Sequence, residues 1–273
     1  MAGFSLVNEP MLTKWFPVDY NAVTLYVGQL VTWCFADSGQ GLKAWNVAGV
    51  ADTTADQSPL GVVIGFNNKT PVFNTTYKAE YGLSVSTQAA QLAREWAMAE
   101  GMWSKGEPAL LAQVAILDPM SVLKGRIFHA SYGTALDVLT NTTASTDGST
   151  ITTVAVDYAP VAYNTTFYCR TGANMGLYRT SYSTSTTSHT FYLTWPYDIA
   201  VNDTFVEVHL ALGTSKALFD SVGTFVQGYG EDNATVYSVN CLWLDIFELN
   251  LAEAGNEYAI FRINPYQFLP ERP

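Results

Sequence analysis

Charge is what this chain has least of, and positive charge above all. Only 14% of its 273 residues are Asp, Glu, Lys or Arg, against about 25% in an average domain. Basic residues number 13 and acidic residues 24, a formal net charge of −11. A nucleic-acid partner requires a basic footprint to neutralise phosphates, and an anionic membrane surface repels such a chain, so neither is expected as a partner. The imbalance is uneven. Residues 1–126 carry 8 basic and 10 acidic groups, net −2, and residues 127–273 carry 5 and 14, net −9. The acidic half is expected to face solvent, where its charge resists non-specific association.

Cysteine is scarce as well. Cys34, Cys169 and Cys241 are odd in number and widely spaced, with no CxxC or Cys/His spacing for zinc and no disulfide framework. They read as buried small hydrophobes, which fits a reducing compartment. The histidines are His129, His189 and His209, and no two stand three or four residues apart, so a helical metal pair is excluded. Long apolar runs are missing too. The best candidate, 21–36, is interrupted by Thr24, Gly28, Gln29 and Thr32, and it falls short of the roughly 20 residues a spanning helix needs. The first five residues have neither a basic n-region nor an apolar h-region, so no secretory signal is expected. On that reading the Asn-x-Ser/Thr triplets at Asn68, Asn74, Asn141, Asn164, Asn202 and Asn233 are chance matches in a Thr-rich chain rather than glycan acceptors. No internal repeat is present.

What the chain does have points to β structure. Apolar residues make up 48% of it, enough at this length for one large domain or two modest ones without a disulfide or metal staple. Thr, Tyr, Phe, Trp and Val favour pleated, half-buried surfaces. Residues 1–19 combine Phe4, Leu6, Met11, Trp15 and Phe16 with Pro10 and Pro17 and read as an extended arm. Its apolar side chains need burial, on the chain's own body or on a partner. Val23, Leu25 and Val27 alternate, break at Gly28, and resume through Val31, Trp33 and Phe35: a strand with a bend or bulge at the glycine. Leu60, Val62, Ile64 and Phe66 alternate with Gly61 and Gly65, a strand with one side-chain-poor face that another backbone or a large ring can approach. Residues 37–59 read as a loop. Residues 86–101 are the one helix candidate, with Ser86 as cap, Ala89, Leu92, Ala93 and Trp96 on one face, and Gly101 at the end.

Beyond residue 130 the pattern is almost wholly β. Leu139 to Thr153 reads as a hairpin around Asp147-Gly148, and Ser181 to Thr190 as a second hairpin. Phe205 to Leu210 alternates again. Leu242, Leu244 and Ile246 share one face, and Phe247, Leu249 and Leu251 continue in opposite phase. A bulge near Ile246-Phe247 would return both sets to the core and leave Asp245, Glu248 and Asn250 outside. Tyr258 to Ile263 reads as a final strand.

No motif carries catalysis. Glu207 and His209 alternate on one strand and read as an exposed polar pair. His189 sits among hydroxyls without a GxSxG elbow. Asp245 with Glu248, and Glu253 with Glu257, are the nearest acid pairs, and acid/base work depends on their separation in space. Glu231-Asp232-Asn233 lacks the rest of a calcium cage. No phosphate-cradling loop occurs. The expectation is a protein that is not an enzyme, with no cofactor and no metal.

Three stretches carry a family resemblance. They are Gly28-Gln-Leu-Val31, then Ala55-Asp-Gln-Ser-Pro-Leu-Gly61-Val-Val-Ile-Gly65, then Lys105-Gly-Glu-Pro108-Ala-Leu-Leu111. Their order resembles the head decoration, or cement, proteins of tailed bacteriophages. Tyr168 to Arg179, with its Gly172-x-x-x-Gly176-x-Tyr-Arg turn, and Ala200 to Phe205 are similar to segments of phage virion proteins, with Asn202 where that pattern has Gly. The resemblance covers roughly residues 20–125 and 165–210. It implies a mainly β protein: an arm at 1–19, a β-tulip-like capsid-binding domain at 20–135, an outer antiparallel β domain at 136–273, and at most one or two short helices. It also implies a virion protein made in the bacterial host cytoplasm. Such a protein sits as a homotrimer on the major capsid protein at the outer surface of the expanded head. The arm residues Phe4, Leu6, Met11, Trp15 and Phe16 would make the capsid contact. The rival readings are a tail or fibre adhesin binding host-surface glycans, and a β-sandwich hydrolase with two convergent acids.

Overall fold

The computed structural model describes residues 4–8, 12–17, 25–34, 41–44, 59–68, 84–85, 110–128, 135–153, 165–185, 187–208, 210–219, 225–226 and 241–265. The chain is mainly β, with no α-helix among the described residues. The helix expected over 86–101 lies outside them. Two compact units divide the chain: Met1–Leu123 with Ser221–Thr224 and Phe268–Pro273, and Lys124–Asp220 with Phe225–Gln267. Residues 1–19 are grouped with the first unit, which runs to Leu123.

The first unit contains β1 (Phe4–Leu6), β2 (Thr13–Pro17), β3 (Leu25–Tyr26), β4 (Leu30–Cys34), β5 (Gly41–Ala44), β6 (Gly61–Asn68), β7 (Ser84–Val85) and β8 (Leu110–Ile116). Five of them form one sheet in the order β2-β8-β6-β4-β5, and β3 pairs with β7. The expected interruption at Gly28 is a turn between β3 and β4. Gly28 has φ +91°, a conformation that costs glycine nothing. Its N–H donates to Val63 O at 2.7 Å, and its carbonyl accepts from Phe4 N at 2.6 Å. Leu30, Val31, Leu42, Val62, Val63, Ala112, Val114 and Ala115 are buried.

The glycine face of β6 is half as expected. A Cβ on Gly61 would stand 2.4 Å from Ala115 O and from Val114 Cγ1, so the β8 backbone does pack directly on it. A Cβ on Gly65 would meet only Gln113 Oε1, at an ordinary 3.8 Å. The difference follows from a bulge in the β6–β8 pairing between Val63 and Gly65. The extra residue also turns Ile64 outward, to 38% exposure, although strict alternation places it with buried Val62.

The second unit contains β9 (Val122–Phe128), β10 (Val138–Thr140), β11 (Thr150–Thr152), β12 (Thr165–Cys169), β13 (Tyr178–Thr184), β14 (Ser188–Phe191), β15 (Thr204–Val208), β16 (Gly213–Phe219), β17 (Phe225–Val226), β18 (Cys241–Asn250) and β19 (Tyr258–Ile263). Strands β9, β17, β16, β18 and β19 follow one another, and β19 pairs back to β9, which makes a closed ring. The bulge expected in β18 is present: its register on β19 shifts between Ile246 and Glu248. Leu244, Ile246, Leu249 and Leu251 are all buried, as the two-phase pattern requires. Phe247 is the extra residue and stays outside at 52% exposure, with the Arg262 guanidinium 5.7 Å from its ring. Expecting it in the core was an error of one residue in placing the bulge.

The other six strands form an antiparallel sheet in the order β10-β15-β12-β13-β14-β11. The hairpin β13–β14 matches the expected second hairpin, with a bulge between Ser181 and Ser183. The first hairpin does not form: β10 pairs with β15 and β11 with β14, at opposite edges of the sheet. Both edge strands instead meet just beyond their ends, where Asn141 bridges Thr153. Thr142 N donates to Thr152 O at 2.6 Å. The sheet therefore curls into a small barrel that removes its own edges. Alternation puts Leu139, Ile151, Phe167, Cys169, Phe191 and Phe205 inside, where they form a core with Trp195 and Ile199. Phe167–Phe191, Phe191–Trp195 and Trp195–Phe205 pack edge to face at 5.2, 5.5 and 5.3 Å.

Asn141, fully buried, is the clasp. Its Nδ2 donates to Thr143 O at 2.7 Å and Ala200 O at 2.9 Å, and its Oδ1 accepts from Thr152 N at 3.0 Å. Its backbone donates to Asp203 O and accepts from Asn202 N. Asp147-Gly148 does make a turn nearby. Asp147 accepts from Ser149 N and Ser145 Oγ, both at 2.9 Å. Gly148, at φ +63°, lies so close to Trp195 that a Cβ would be 2.4 Å from its carbonyl oxygen.

Gly61→Val is expected to destabilise the protein by about 1–3 kcal/mol through overpacking and Gly65→Val by much less. Equal shifts in melting temperature would contradict the asymmetry. Asn141→Ala, which removes three hydrogen bonds to the backbone of Thr143, Ala200 and Thr152, is expected to cost about 1–3 kcal/mol in urea unfolding. A change below about 0.5 kcal/mol would mean that the clasp does not hold the sheet closed.

Candidate functional site

The five arm residues expected to meet a partner separate by environment. Phe4 is buried at 3% exposure and belongs to the core. Leu6 is half-buried, and Met11 lies outside the described residues. Phe16 is half-buried with its ring 5.9 Å from Trp33. Trp15 is 46% exposed, Leu12 three residues before it is 47% exposed, and Val7 is 53% exposed. The segment is anchored rather than loose. Strand β2 runs antiparallel to β8 from Thr13–Ala115 to Pro17–Leu111. Asn8 also bridges Val122 N at 2.9 Å and Met120 O at 3.3 Å. Among the described residues β2 is an edge strand of its sheet, and Lys14 is exposed on it. The outcome is an ordered sheet edge bearing exposed Leu12 and Trp15.

The candidate acid pairs are taken up by structural roles. Asp245 accepts from Arg262 Nε at 2.8 Å, Asn264 Nδ2 at 2.9 Å and Thr214 Oγ1 at 3.1 Å. Burial works against its charge, but these hydrogen bonds outweigh it and hold its pKa below the ordinary value. Glu248 accepts from Tyr258 Oη, and Glu253 from Asn256 Nδ2, both at 2.9 Å. Glu257, 2% exposed, is ion-paired to Arg170 at 2.5 Å, and Arg170 also reaches Leu251 O. Glu231-Asp232-Asn233, His129 and His209 lie outside the described residues. Among the described residues no three His, Cys, Asp or Glu side chains gather as metal ligands, and no helix is long and apolar enough to cross a membrane.

The triplet asparagines differ from one another. Asn141 is buried with its amide fully engaged, so it is no acceptor in the folded chain. Asn202 is exposed and adopts φ +73°, the left-handed conformation that asparagine tolerates better than most residues. The Gly172–Gly176 turn is built on Asn174, fully buried, which donates to Tyr197 O at 2.9 Å and accepts from Tyr197 N at 3.2 Å.

One cluster was missed by sequence reasoning. Strand alternation directs Thr153, Thr165, Ser181, His189 and Glu207 to the inside of the six-stranded barrel with the aromatic core, and all five are buried. The expected exposed setting for Glu207 is therefore wrong, because both faces of β15 are covered. Burial pushes its carboxyl up to about 8, and the Asp137 charge adds to this. Burial pulls His189 down to about 4. Its Nε2 is 3.4 Å from Thr153 Oγ1, its ring packs on Phe167 at 5.0 Å, and its Nδ1 has no partner. Thr165 Oγ1 is likewise unpaired. Only the registers of the barrel reveal this cluster, since its residues come from separate strands.

A second surface feature lies on β13, β14 and the turns beside them. Tyr182 and Tyr192 pair at 5.5 Å and are 42% and 61% exposed. Met175, Leu193 and Tyr197 are 66%, 70% and 60% exposed. The residues around them are mostly Ser and Thr.

No family model matches the sequence, and no curated protein or solved structure matches it.

Cys169 follows the buried-hydrophobe expectation. It is fully buried, free, and donates to Thr171 O at 2.9 Å. Burial, with the Asp203 charge, pushes its thiol up to about 12. Cys169 is expected to resist a thiol reagent at neutral pH until the second unit unfolds. Modification of Cys169 in the folded protein, located by peptide mapping, would contradict this.

Proposed function

We propose that this chain is a structural virion protein, a decoration protein of a tailed-bacteriophage head that binds the major capsid protein on the outer surface. The observation that carries the reading is the ordered β2 edge with exposed Leu12 and Trp15, in a mainly β chain whose sequence resembles that family. An expanded head is under internal pressure from packed DNA. A protein that straddles capsomer seams adds buried area that must be lost before the shell opens. Exposed apolar side chains on an ordered edge suit such docking, because little conformational entropy is lost when they are covered. Assembly as a homotrimer and the outward placement of the acidic half belong to the same proposal.

A second reading is favoured by one observation, the exposed Tyr182–Tyr192 pair with Tyr197 among hydroxyls. Aromatic faces and uncharged donors suit a glycan, as on a tail or fibre adhesin.

Trp15→Ser tests the first reading. Trp15 contributes little to the core, so the variant is expected to fold and to lose at least roughly tenfold in affinity for expanded heads in co-sedimentation. Unchanged affinity would remove β2 from the contact. Binding of the wild-type chain to glycans but not to heads would favour the adhesin.

A further inference from the structure

We propose that the inward carboxyl of Glu207, opposed by Asp137 across the short β10–β15 pairing, makes one edge of the six-stranded barrel a pH-dependent seam, closed in mild acid and loosened above neutrality. The inference is independent of the function proposed above.

The register places the two acids together. Val138 pairs with Val206 in an antiparallel ladder, so one step further Asp137 falls opposite Glu207. Glu207 is 2% exposed and shares the inward face with Phe205. Among the described residues none donates a hydrogen bond to it. Among the described residues, the groups facing it offer no countercharge. Phe167, directly opposite on β12, and Thr165 are uncharged, as are Ser181 on β13 and Thr153 after β11. His189 on β14 is neutral over the range concerned. Arg179 on β13 is committed elsewhere: Nε to Thr194 O, a terminal nitrogen to Tyr178 O, and its guanidinium 5.6 Å from the Trp195 ring. Ionised Glu207 would thus be a buried charge that no described residue matches, with the Asp137 side chain adding to the cost.

The strand that would give way is the weak one. β10 contributes three register pairs, and Val138 at its start is 53% exposed. The Asn141 clasp secures one end, and Asp137 lies at the other. Opening from the Asp137 end hydrates Glu207 without breaking the clasp.

The sign follows from proton binding. The folded carboxyl titrates near 8 and its ordinary value is 4.5, so within that window the folded state holds a proton the unfolded state has lost. Stability from this group falls as pH rises through the window. His189 acts oppositely between its ordinary 6.5 and about 4, where stability falls as pH falls. The two slopes oppose each other below 6.5, and above it Glu207 acts without His189.

Hydrogen exchange on the full chain, corrected for intrinsic rates, tests the seam. From about pH 6 to about pH 8.5, the opening constant of the β10 and β15 amides is expected to rise at least roughly tenfold, while the Phe167 and Phe191 amides change little. Glu207→Gln is expected to abolish the rise. Persistence of the rise in this variant, or equal loosening of all amides, would overturn the proposal. A carbon NMR titration of the Glu207 carboxyl in the wild-type chain keeps the test independent of the variant. A midpoint near 8 supports the seam, and one near 4.5 overturns it.

Discussion

Closure of the six-stranded sheet through Asn141 is the constraint on which most of the second unit depends. An antiparallel sheet with two free edges presents unpaired N–H and C=O groups, and in this chain the edges are strands of only three residues each. Neither could persist as an isolated ribbon. The Asn141 amide links the segments that follow β10, flank β11 and precede β15, so that each short strand gains a second attachment. Closure also defines an inside. Once it exists, alternation sends one set of side chains into a single core and the other set outward.

The inside is divided by chemistry. The aromatic groups, centred on Phe167, Phe191, Trp195 and Phe205, pack edge to face and supply the apolar burial. Thr153, Thr165, Ser181, His189 and Glu207 share the same faces but bring hydroxyls, a neutral imidazole and a protonated carboxyl. Buried polar groups without full pairing cost stability, and a protein keeps them only where the surrounding structure holds them in place. Here the holding is done by the aromatic packing and by the clasp. The Arg170–Glu257 pair is a contrasting case, since its guanidinium also satisfies a backbone carbonyl and the buried charge is matched.

Local signals in the sequence were read well where one residue's chemistry decides the outcome. Gly28 turns the chain because its φ is positive, the two-phase pattern at 242–251 requires a bulge, and the Ser/Thr run at 181–190 folds as a hairpin between aromatic anchors. Non-local pairing was not legible. Leu139 to Thr153 carries a strong hairpin signature, yet its two strands find partners 64 to 68 residues away in β15 and 36 to 40 away in β14, because the registers of the whole sheet outweigh one turn. The same limit explains Glu207: alternation told which face it shares with Phe205, but not that both faces of β15 are covered. It explains Phe4 as well, where an apolar residue on an expected arm is packed as core while Trp15, a few residues on, stays exposed.

The proposed decoration role rests on the N-terminal edge strand and its exposed Leu12 and Trp15. Immunogold labelling of purified phage particles with an antibody against this chain tests that reading most directly. Label spread evenly over the head is the predicted result. Label confined to the tail, or absent from the particle, would contradict it.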